Sequence, residues 1–318
     1  MSETFKTKTI KDISQQFFIM YNEILNFPLP KYYNLFMTCH VHGWKNLAPF
    51  RWDDESNKLH FSVFIDDCPV DVVASQEPNS VKAFLNSHKK FQKSQLNKAA
   101  DLISRTLSLN TSTNDLIRIA ERVGPEYVKI IKMGAGRLLH ASTLWEDAAK
   151  TLFTTNCSWS LTTKMCEAVC SETFSSAAPS GAYPFPPPQK IAEHTTEQMQ
   201  DLMPIGYRSE YLIALAKCFS EDPFLSNIES NGFSYKEADT LVRELRGFGD
   251  YAVAHLLILN GYFDEVPIDT VVVSYLKSNY RVRKPQSFID RTYRKWKEYK
   301  WWGFKLEKML NRQNWLGD

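Results

Sequence analysis

Apolar and polar residues alternate in the N-terminal part of the chain, which predicts β-strands. The clearest run follows a polar turn at residues 53–57, and its apolar positions are Leu59, Phe61, Val63 and Ile65. Successive side chains of a strand point to opposite faces, so this alternation is typical of a strand with one buried face. We therefore predict strands from about residue 30 to about residue 75.

Helical spacing replaces this alternation from residue 79 onwards. The stretch from Val81 to Leu107 is rich in lysine and has a helical pattern, and the stretch from Thr113 to Leu139 continues it. The sequence thus predicts an α+β fold. A sheet domain is expected in residues 1–78, and a mainly α-helical domain in residues 79–318.

Residues 171–188 interrupt the helical pattern and are predicted to form a linker inside the helical domain. Small and polar residues from Ser171 to Gly181 are typical of a flexible connection. The linker ends with the run YPFPPP at residues 183–188, which contains too many prolines for a helix interior. A binding site for a partner that recognises proline-rich segments is the alternative interpretation of this run.

The most informative pattern lies between Leu245 and Asp269. Gly247 and Gly249 predict a tight turn, because glycine adopts backbone conformations that are closed to other residues. The apolar helix that follows begins with unpaired N–H groups and a positive dipole end, which together suit a phosphate group. Asp269 follows Gly249 by 20 residues. That length is enough for a helix of about four turns and a short loop, so the carboxylate can return close to the turn.

Composition changes this picture mainly through the distribution of charge. The chain has 318 residues, is 43% hydrophobic and carries a formal net charge of only +2, which argues against a strongly basic protein that coats nucleic acid. Residues 281–318 nevertheless combine many lysines and arginines with tyrosines and tryptophans. Such a segment can bind phosphates and stack on bases. The alternative is an amphipathic closing helix with its aromatic side chains in the core, and both can hold on opposite faces.

The cysteine pattern argues against a metal centre. The six cysteines are Cys39, Cys68, Cys157, Cys166, Cys170 and Cys218. Cys166 and Cys170 lie four residues apart on a predicted helix and are interpreted as small core residues. Because no cysteine follows Cys218, we expect no iron–sulfur cluster and no metal bound by side chains. The thiols are expected to be reduced.

The start of the chain and its hydropathy predict an intracellular protein. Residues 1–4 are polar, and no apolar run approaches the length of a membrane span. We therefore expect no signal peptide and no membrane partner. The expected location is the cytoplasm or nucleoid in a bacterium and the nucleus in a eukaryote.

Two segments together resemble the signature of the helix-hairpin-helix DNA glycosylases: LRGFG at residues 245–249 and PID at residues 267–269. That signature is a leucine-proline-glycine-x-glycine hairpin, a helix, and a proline-x-aspartate segment that carries the catalytic aspartate. Arg246 replaces the usual proline. The resemblance implies an N-terminal antiparallel sheet, a hairpin at residues 243–251 and excision of a damaged base from double-stranded DNA by a monomer.

Tyr251 occupies the position of the lysine that bifunctional members of this family use. In those enzymes the lysine forms a Schiff base with the deoxyribose. Tyrosine cannot form an imine, and no lysine lies between Gly249 and Asp269. The resemblance therefore implies a monofunctional glycosylase in which Asp269 acts on a water molecule. A structural role as the N-cap of the next helix is the alternative for Asp269, and the two roles are compatible.

Other segments resemble the 8-oxoguanine DNA glycosylases in particular. These are GRLLH at 136–140, WED at 145–147, FTTN at 153–156 and PIGYR at 204–208. By this resemblance Tyr207 fills the gap left by the extruded nucleotide, and Arg208 and Asn156 read the opposite cytosine. A second cytosine-reading arginine of that group corresponds to Leu161 here, so strict cytosine selection is not implied.

The hairpin is expected to contact the DNA backbone. N–H groups around Gly247, Gly249 and Tyr251 are predicted to hold a phosphate. The resemblance also leaves room for one structural monovalent cation in the hairpin, the single cofactor we consider. Its ligands would be the backbone carbonyls of Arg243, Leu245 and Phe248.

The pocket for the extruded base has three candidate residues. Tyr251 and His255 lie one helical turn apart and can stack on or bond to a base, and Gly43 can bring backbone close to it. A packed core histidine and a simple turn glycine are the alternatives for His255 and Gly43.

The identity of the base and the class of protein stay open at this stage. Resemblance to the 8-oxoguanine enzymes favours an oxidised purine, the missing lysine also fits enzymes that remove alkylated bases, and bulky or enzymatically modified bases remain alternatives. A non-catalytic lesion-binding protein of the same fold is a different class, and a protein-interaction module is a third. A carboxylate that faces the anionic backbone is of use to an enzyme and not to a pure binder.

Overall fold

The computed structural model describes residues 20–173, 176–222, 225 and 232–311. Part of the predicted linker, at residues 174–175, and the end of the basic C-terminal segment, at residues 312–318, lie outside the described residues.

The N-terminal region forms a sheet of five antiparallel strands. They are β1 (Tyr21–Pro28), β2 (Arg51–Asp53), β3 (Lys58–Ile65), β4 (Cys68–Gln76) and β5 (Ser80–Ser87), in the order β1-β5-β4-β3-β2. The alternation predicted for β3 is confirmed, because all four of its apolar positions are buried. Asp66 and Asp67 join β3 to β4 and have φ angles of 48° and 59°, as a two-residue hairpin turn requires.

The helix predicted to begin at Val81 is wrong at its start, because these residues form β5. Val81, Ala83 and Leu85 are buried at alternate positions, and β5 pairs with β1 on one side and with β4 on the other. The sheet therefore extends past the predicted boundary at residue 78 and ends at Ser87. β1 was not predicted, since none of its eight residues is buried and the strand lacks a clear alternation.

Helices make up most of the remaining described residues. They are α1 (Leu35–His40), α2 (Lys93–Thr106), α3 (Asn114–Ala120), α4 (Pro125–Lys132), α5 (Leu144–Phe153), α6 (Trp159–Glu172), α7 (Pro188–Ala192), α8 (Thr196–Leu202), α9 (Arg208–Glu221), α10 (Tyr235–Arg243), α11 (Asp250–Ile258), α12 (Thr270–Tyr280), α13 (Pro285–Thr292) and α14 (Lys300–Leu310). Short 3-10 helices occupy Gly43–Asn46 and Arg294–Tyr299. No helix in the described ranges is both long and apolar enough to cross a membrane.

Two hydrophobic clusters stabilise the molecule. The first joins the sheet to α5, α6, α9 and α11, and includes Leu59, Phe153 and Leu256. The second joins α3 and α4 to the C-terminal helices, and includes Ile131 and Trp302. Because the sheet and the helices share the first cluster, residues from both regions keep fixed relative positions.

α5 lies at the centre of the first cluster and is buried along its whole length. It carries a buried ion pair, in which Nζ of Lys150 lies 2.6 Å from Oε1 of Glu146. The other oxygen of Glu146 accepts hydrogen bonds from the backbone N–H and the hydroxyl of Ser142, at 3.2 and 2.7 Å. These partners compensate the cost of burying the two charges.

The aromatic residues of the C-terminal segment face the core. The buried ones are Tyr293, Trp296, Trp301 and Trp302. The interpretation of this segment as an amphipathic closing element is confirmed. The prediction that its aromatic rings stack on bases is wrong for Tyr293, Trp296 and Trp302, because their rings are packed inside the protein.

Candidate functional site

A helix-hairpin-helix unit forms one wall of the site: α10 ends at Arg243, a tight turn follows, and α11 begins at Asp250. Gly247 has a φ of 90°, which favours glycine, and an added Cβ there would lie 2.8 Å from Cδ2 of Tyr211. Gly249 has a φ of −86° and open space at its Cβ position. Gly247 is thus required by the packing of the protein itself, whereas the space beside Gly249 is open to a ligand.

Arg246, in place of the expected proline, fastens the hairpin to α9. Its Nη2 lies 2.6 Å from Oε1 of Glu210, and its guanidinium carbon lies 5.6 Å from the centre of the Tyr211 ring. Both partners belong to the first turn of α9. The turn is therefore stiffened by contacts with a neighbouring helix instead of by a proline ring.

Asp269 lies at the N-terminus of α12. Its Oδ1 accepts a hydrogen bond of 2.6 Å from the backbone N–H of Val272, so the expected N-cap role is confirmed. The carboxylate is also close to two ring side chains. Burial raises the pKa of Tyr251 and lowers the pKa of His255 to about 4, and the charge of Asp269 acts on both groups.

These elements enclose a cleft of about 1600 Å³. It brings together the predicted site residues Gly43, Asn156, Tyr207, Gly247, Gly249, Tyr251, His255 and Asp269. They come from the connection between α1 and β2, the turn after α5, the start of α9, the hairpin with α11, and the start of α12. The site thus unites distant parts of the chain.

Tyr207 and Asn156 lie on the surface of the cleft. Tyr207 is 54% exposed, and its ring packs edge-on against Tyr211 with 5.9 Å between ring centres. Asn156 is exposed in the turn after α5, with a φ of 49°. Asparagine adopts this left-handed conformation more readily than most residues.

Arg208 does not reach the cleft, in contrast to the prediction. Only 4% of the residue is exposed, and its Nη2 donates a hydrogen bond to the backbone carbonyl of Thr155. Its guanidinium carbon lies 4.6 Å from the centre of the Tyr207 ring. Successive helical residues point about 100° apart, so two neighbours at the start of α9 cannot face the same way. Arg208 therefore supports Tyr207 and the turn with Asn156.

Leu161 packs against the first core cluster.

Aromatic rings line the inner part of the cleft. The ring centres of Tyr251 and His255 lie 5.7 Å apart. On the other side of His255, the Trp44 indole is stacked with 5.2 Å between centres and 26° between planes. His42 packs edge-on against Trp44 at 5.0 Å. This arrangement offers flat apolar faces, against which a purine ring can stack.

Buried charges fix the Trp44 ring. Its Nε1 donates a hydrogen bond of 2.7 Å to Oδ1 of Asp147, and Oδ2 of Asp147 lies 3.0 Å from Nη2 of Arg105. Asp147 also accepts from the backbone N–H of Ala141 at 2.9 Å. The indole is therefore held in one orientation.

The two histidines of the cleft are uncharged at neutral pH. Burial lowers the pKa of His42 well below its usual value, as it lowers that of His255 to about 4. Nε2 of His42 lies 2.6 Å from the carbonyl oxygen of Leu139, so this nitrogen carries the proton and donates it. Positive charge in the cleft is supplied instead by Lys277, Lys305 and Lys308.

Sequence reasoning missed several ring residues of this site, among them His42, Trp44 and Trp159. Trp159 begins α6, is 47% exposed, and lies against Gly43, where an added Cβ would collide with its ring. Gly43 is therefore needed for the close approach of Trp159. No periodic pattern marks these residues, because they stand in a connection or at a helix start.

The predicted hairpin cation remains a prediction. The carbonyl of Leu245 accepts a hydrogen bond of 3.1 Å from the N–H of Phe248, and its second lone pair is compatible with a cation. Among the described residues, no group of three or more His, Cys, Asp or Glu could hold a metal ion. Cys166 and Cys170 are buried on α6, as predicted for core residues.

No protein-family model matches the sequence, and no curated protein matches it. Solved structures are similar in fold. The 3-methyladenine DNA glycosylase of Archaeoglobus fulgidus has a TM-score of 0.67 at 15% identity, over 91% of this chain and 99% of its own. MBOgg1, in complex with a low-affinity DNA ligand, has a TM-score of 0.65 at 15% identity, over 92% of this chain and 100% of its own. The chain has the fold of DNA glycosylases.

This glycosylase fold includes the sheet as well as the helices. The apo form of the 8-oxoguanine glycosylase/lyase of Clostridium acetobutylicum is a third similar structure, with a TM-score of 0.60 at 14% identity over 84% of this chain and 92% of its own. The predicted fold class, an α+β fold with an N-terminal antiparallel sheet, is confirmed.

Proposed function

We propose that this protein is a monofunctional DNA glycosylase of base excision repair, which removes a damaged or modified base, with an oxidised or alkylated purine favoured. The observation that carries the proposal is the proximity of Asp269 and Tyr251 in one cleft. The first supplies a carboxylate, and the second stands where a lysine would be needed for imine chemistry. The glycosylase fold supports the same function.

Double-stranded DNA is the proposed partner, bound by a monomer. The first N–H groups of α11 have no side-chain cap at Gly249 and lie beside open space, so they can bond a phosphate. Lys277 and Lys308 add positive charge along the same cleft. Tyr207 is exposed enough to enter the space that an extruded nucleotide leaves in the duplex.

Asp269 is the proposed catalytic residue. One carboxylate oxygen bonds the N–H of Val272, and a carboxylate has further lone pairs for a water molecule. As the N-glycosidic bond breaks, positive charge develops on the sugar and is stabilised by the negative charge of Asp269. The base leaves with the electron pair of the broken bond, and a neutral base takes up a proton as it leaves. The water, oriented by Asp269 and deprotonated by it, forms the new bond to C1′ of the sugar. The product is an abasic site in an uncut strand.

The proposal is tested with end-labelled duplexes that carry 8-oxoguanine, a methylated purine, uracil or no lesion. Each sample is divided after incubation, and one half is treated with alkali. We expect strand breaks only in the alkali-treated half, because alkali cleaves abasic sites. Breaks in both halves would mean that an amine nucleophile acts, and breaks in neither half would argue against a glycosylase for these bases.

Asp269→Asn separates catalysis from capping. Asparagine is as good an N-cap as aspartate, so α12 should keep its start and the protein its stability. We expect D269N to release no base while it binds lesion-containing DNA at least as tightly as the wild-type protein. Full activity of D269N would refute the catalytic role.

A non-catalytic lesion-binding protein is the second candidate. The observation in its favour is the cap bond to Val272, which gives Asp269 a structural purpose without any chemistry. A lesion-binding protein would bind one of the damaged duplexes selectively and release no base from any of them.

A further inference from the structure

Lys305 lines the cleft, beside the ring of Trp301. The residue is half-buried on α14, and its Nζ lies 5.7 Å from the centre of the Trp301 ring. Its positive charge acts on both His42 and His255, where it adds to the effect of burial on their pKa values. The ammonium group and the stacked pair of Trp44 and His255 line the same cleft.

Lys308 provides a natural comparison. It lies three residues further along α14 and also lines the cleft, but its Nζ is 5.8 Å from the centre of the Tyr275 ring. The two lysines thus carry the same charge on the same helix and meet different surroundings. The charge of Lys305 acts on His42 and His255, whereas Lys308 lies beside Tyr275 of α12.

The charge of the inner pocket determines which base it can accept. His42 and His255 are neutral, so the charges that act on this part of the cleft include the carboxylate of Asp269 and the ammonium of Lys305, which both line it. A purine nucleotide methylated at N3 or N7 carries a positive charge and would be repelled by the ammonium. A purine with an additional carbonyl oxygen is neutral and offers an acceptor for a charge-assisted hydrogen bond.

We propose that Lys305 is a specificity-determining residue, which selects neutral bases with a carbonyl acceptor, such as oxidised purines, and excludes purines made cationic by alkylation. Lys305 also interacts with the protein elsewhere. An ammonium has three N–H donors, so it can keep such a contact and still donate to a base. The inference rests on the proposed function, because it assigns the base of the same site.

The test measures binding without chemistry. Two duplexes carry 8-oxoguanine or 7-methylguanine on a 2′-fluorinated sugar, whose electron-withdrawing fluorine prevents loss of the base. The lesions are matched, because both modify the same ring of guanine and only the methylated one is cationic. The dissociation constants of the wild-type protein, Lys305→Met and Lys308→Met are compared for both duplexes.

We expect the wild-type protein to bind the 8-oxoguanine duplex more tightly. Lys305→Met should shift the ratio of the two dissociation constants toward 7-methylguanine by roughly tenfold or more, the scale of one hydrogen bond to a charged group. Lys308→Met should weaken binding of both duplexes alike and leave the ratio unchanged. Lys305→Arg, which keeps the positive charge, should keep the wild-type ratio and also covers the case that K305M folds poorly.

An unchanged ratio in K305M, or a wild-type preference for 7-methylguanine, would overturn the inference. The alkali assay on ordinary sugars separates this result from the proposed function. Selective binding without release of any base would refute the glycosylase and leave the selectivity in place. Release of a base with an unchanged ratio would refute only the role of Lys305.

Discussion

Tyr207 differs from Tyr211, its neighbour one turn along α9, because more than half of its surface is exposed. An exposed ring contributes little to folding, so its contribution should appear in DNA distortion. We predict that Tyr207→Ala lowers the rate of base release from duplexes by about tenfold or more, since a wedge offsets part of the few kcal/mol that base flipping costs. Thermal unfolding should be nearly unchanged.

The control for this prediction is Tyr207→Phe, which keeps the ring and its edge contact with Tyr211. It should retain most of the activity. A second control uses lesions in single-stranded DNA, where no base pair has to be opened. Equal losses on single-stranded and duplex substrates would show that Tyr207 does not act as a wedge.

Single residues were predictable from the sequence where a short motif carries them. Asp269 and Tyr251 stand at fixed distances from the hairpin glycines, and both line the cleft. Arg208 was misplaced, because sequence adjacency to Tyr207 says nothing about the direction of a side chain. Trp44 could not be predicted, since its role depends on stacking with His255, more than 200 positions away in the chain.

At the scale of elements, the two glycines of the hairpin differ in how much space a side chain would have. Gly247→Ala would place a methyl group against Tyr211 at a φ of 90°, so we expect a loss of about 2 kcal/mol or more in the free energy of unfolding. Gly249→Ala meets open space and should stay within about 0.5 kcal/mol of the wild-type protein. Denaturant unfolding measures both values.

The same pair tests the phosphate site. The methyl group of Gly249→Ala would occupy the open space beside the first turn of α11, so DNA binding should weaken several-fold although the fold is intact. If G249A binds DNA as the wild-type protein does, the phosphate lies elsewhere.

α5 depends on the balance of its buried charges. Lys150→Met leaves Glu146 without its cation inside the core, and we expect a loss of about 3–5 kcal/mol in the free energy of unfolding. The double variant Glu146→Leu with Lys150→Met removes both charges and should recover most of this loss. Lys190→Met breaks the exposed pair with Glu193 and should cost less than about 1 kcal/mol. A similar loss in K150M and K190M would contradict this account.

A strand was predictable from the sequence where one of its faces is buried in the core and the other is not. β3 has one face in the core, and its alternation was therefore visible in the sequence. β1 buries none of its residues and gave no signal, although it pairs with β5 over its full length. β5 was predicted as part of a helix, because the lysine-rich helical segment that follows it was extended back to Val81. The number of lysines in a segment does not show where the pairing between strands ends.

At the scale of the whole molecule, three half-buried histidines link stability to pH. Burial lowers the pKa of His140 and His255 to about 4, and that of His42 well below its usual value. In the unfolded chain these groups titrate near pH 6.5, so between about pH 6.5 and 4 the unfolded state binds more protons than the folded state. Stability should therefore fall as the pH decreases through this window.

We expect a loss of about 1 kcal/mol or more for each of these histidines between pH 7 and pH 5, measured by denaturant unfolding. His140→Gln should reduce the pH dependence. A free energy of unfolding that is constant from pH 7 to pH 5 would contradict the prediction.

The cleft is lined by residues from His42 near the sheet to Lys308 on the last described helix. During synthesis on the ribosome, Asp269 and the hairpin leave the exit tunnel before α14 does. The nascent chain therefore has the carboxylate of Asp269 before it has the wall that carries Lys305. A polypeptide that stalls before α14 would lack this wall of the cleft and also Trp301 and Trp302 of the second hydrophobic cluster, so the cleft is formed only after α14 has been made.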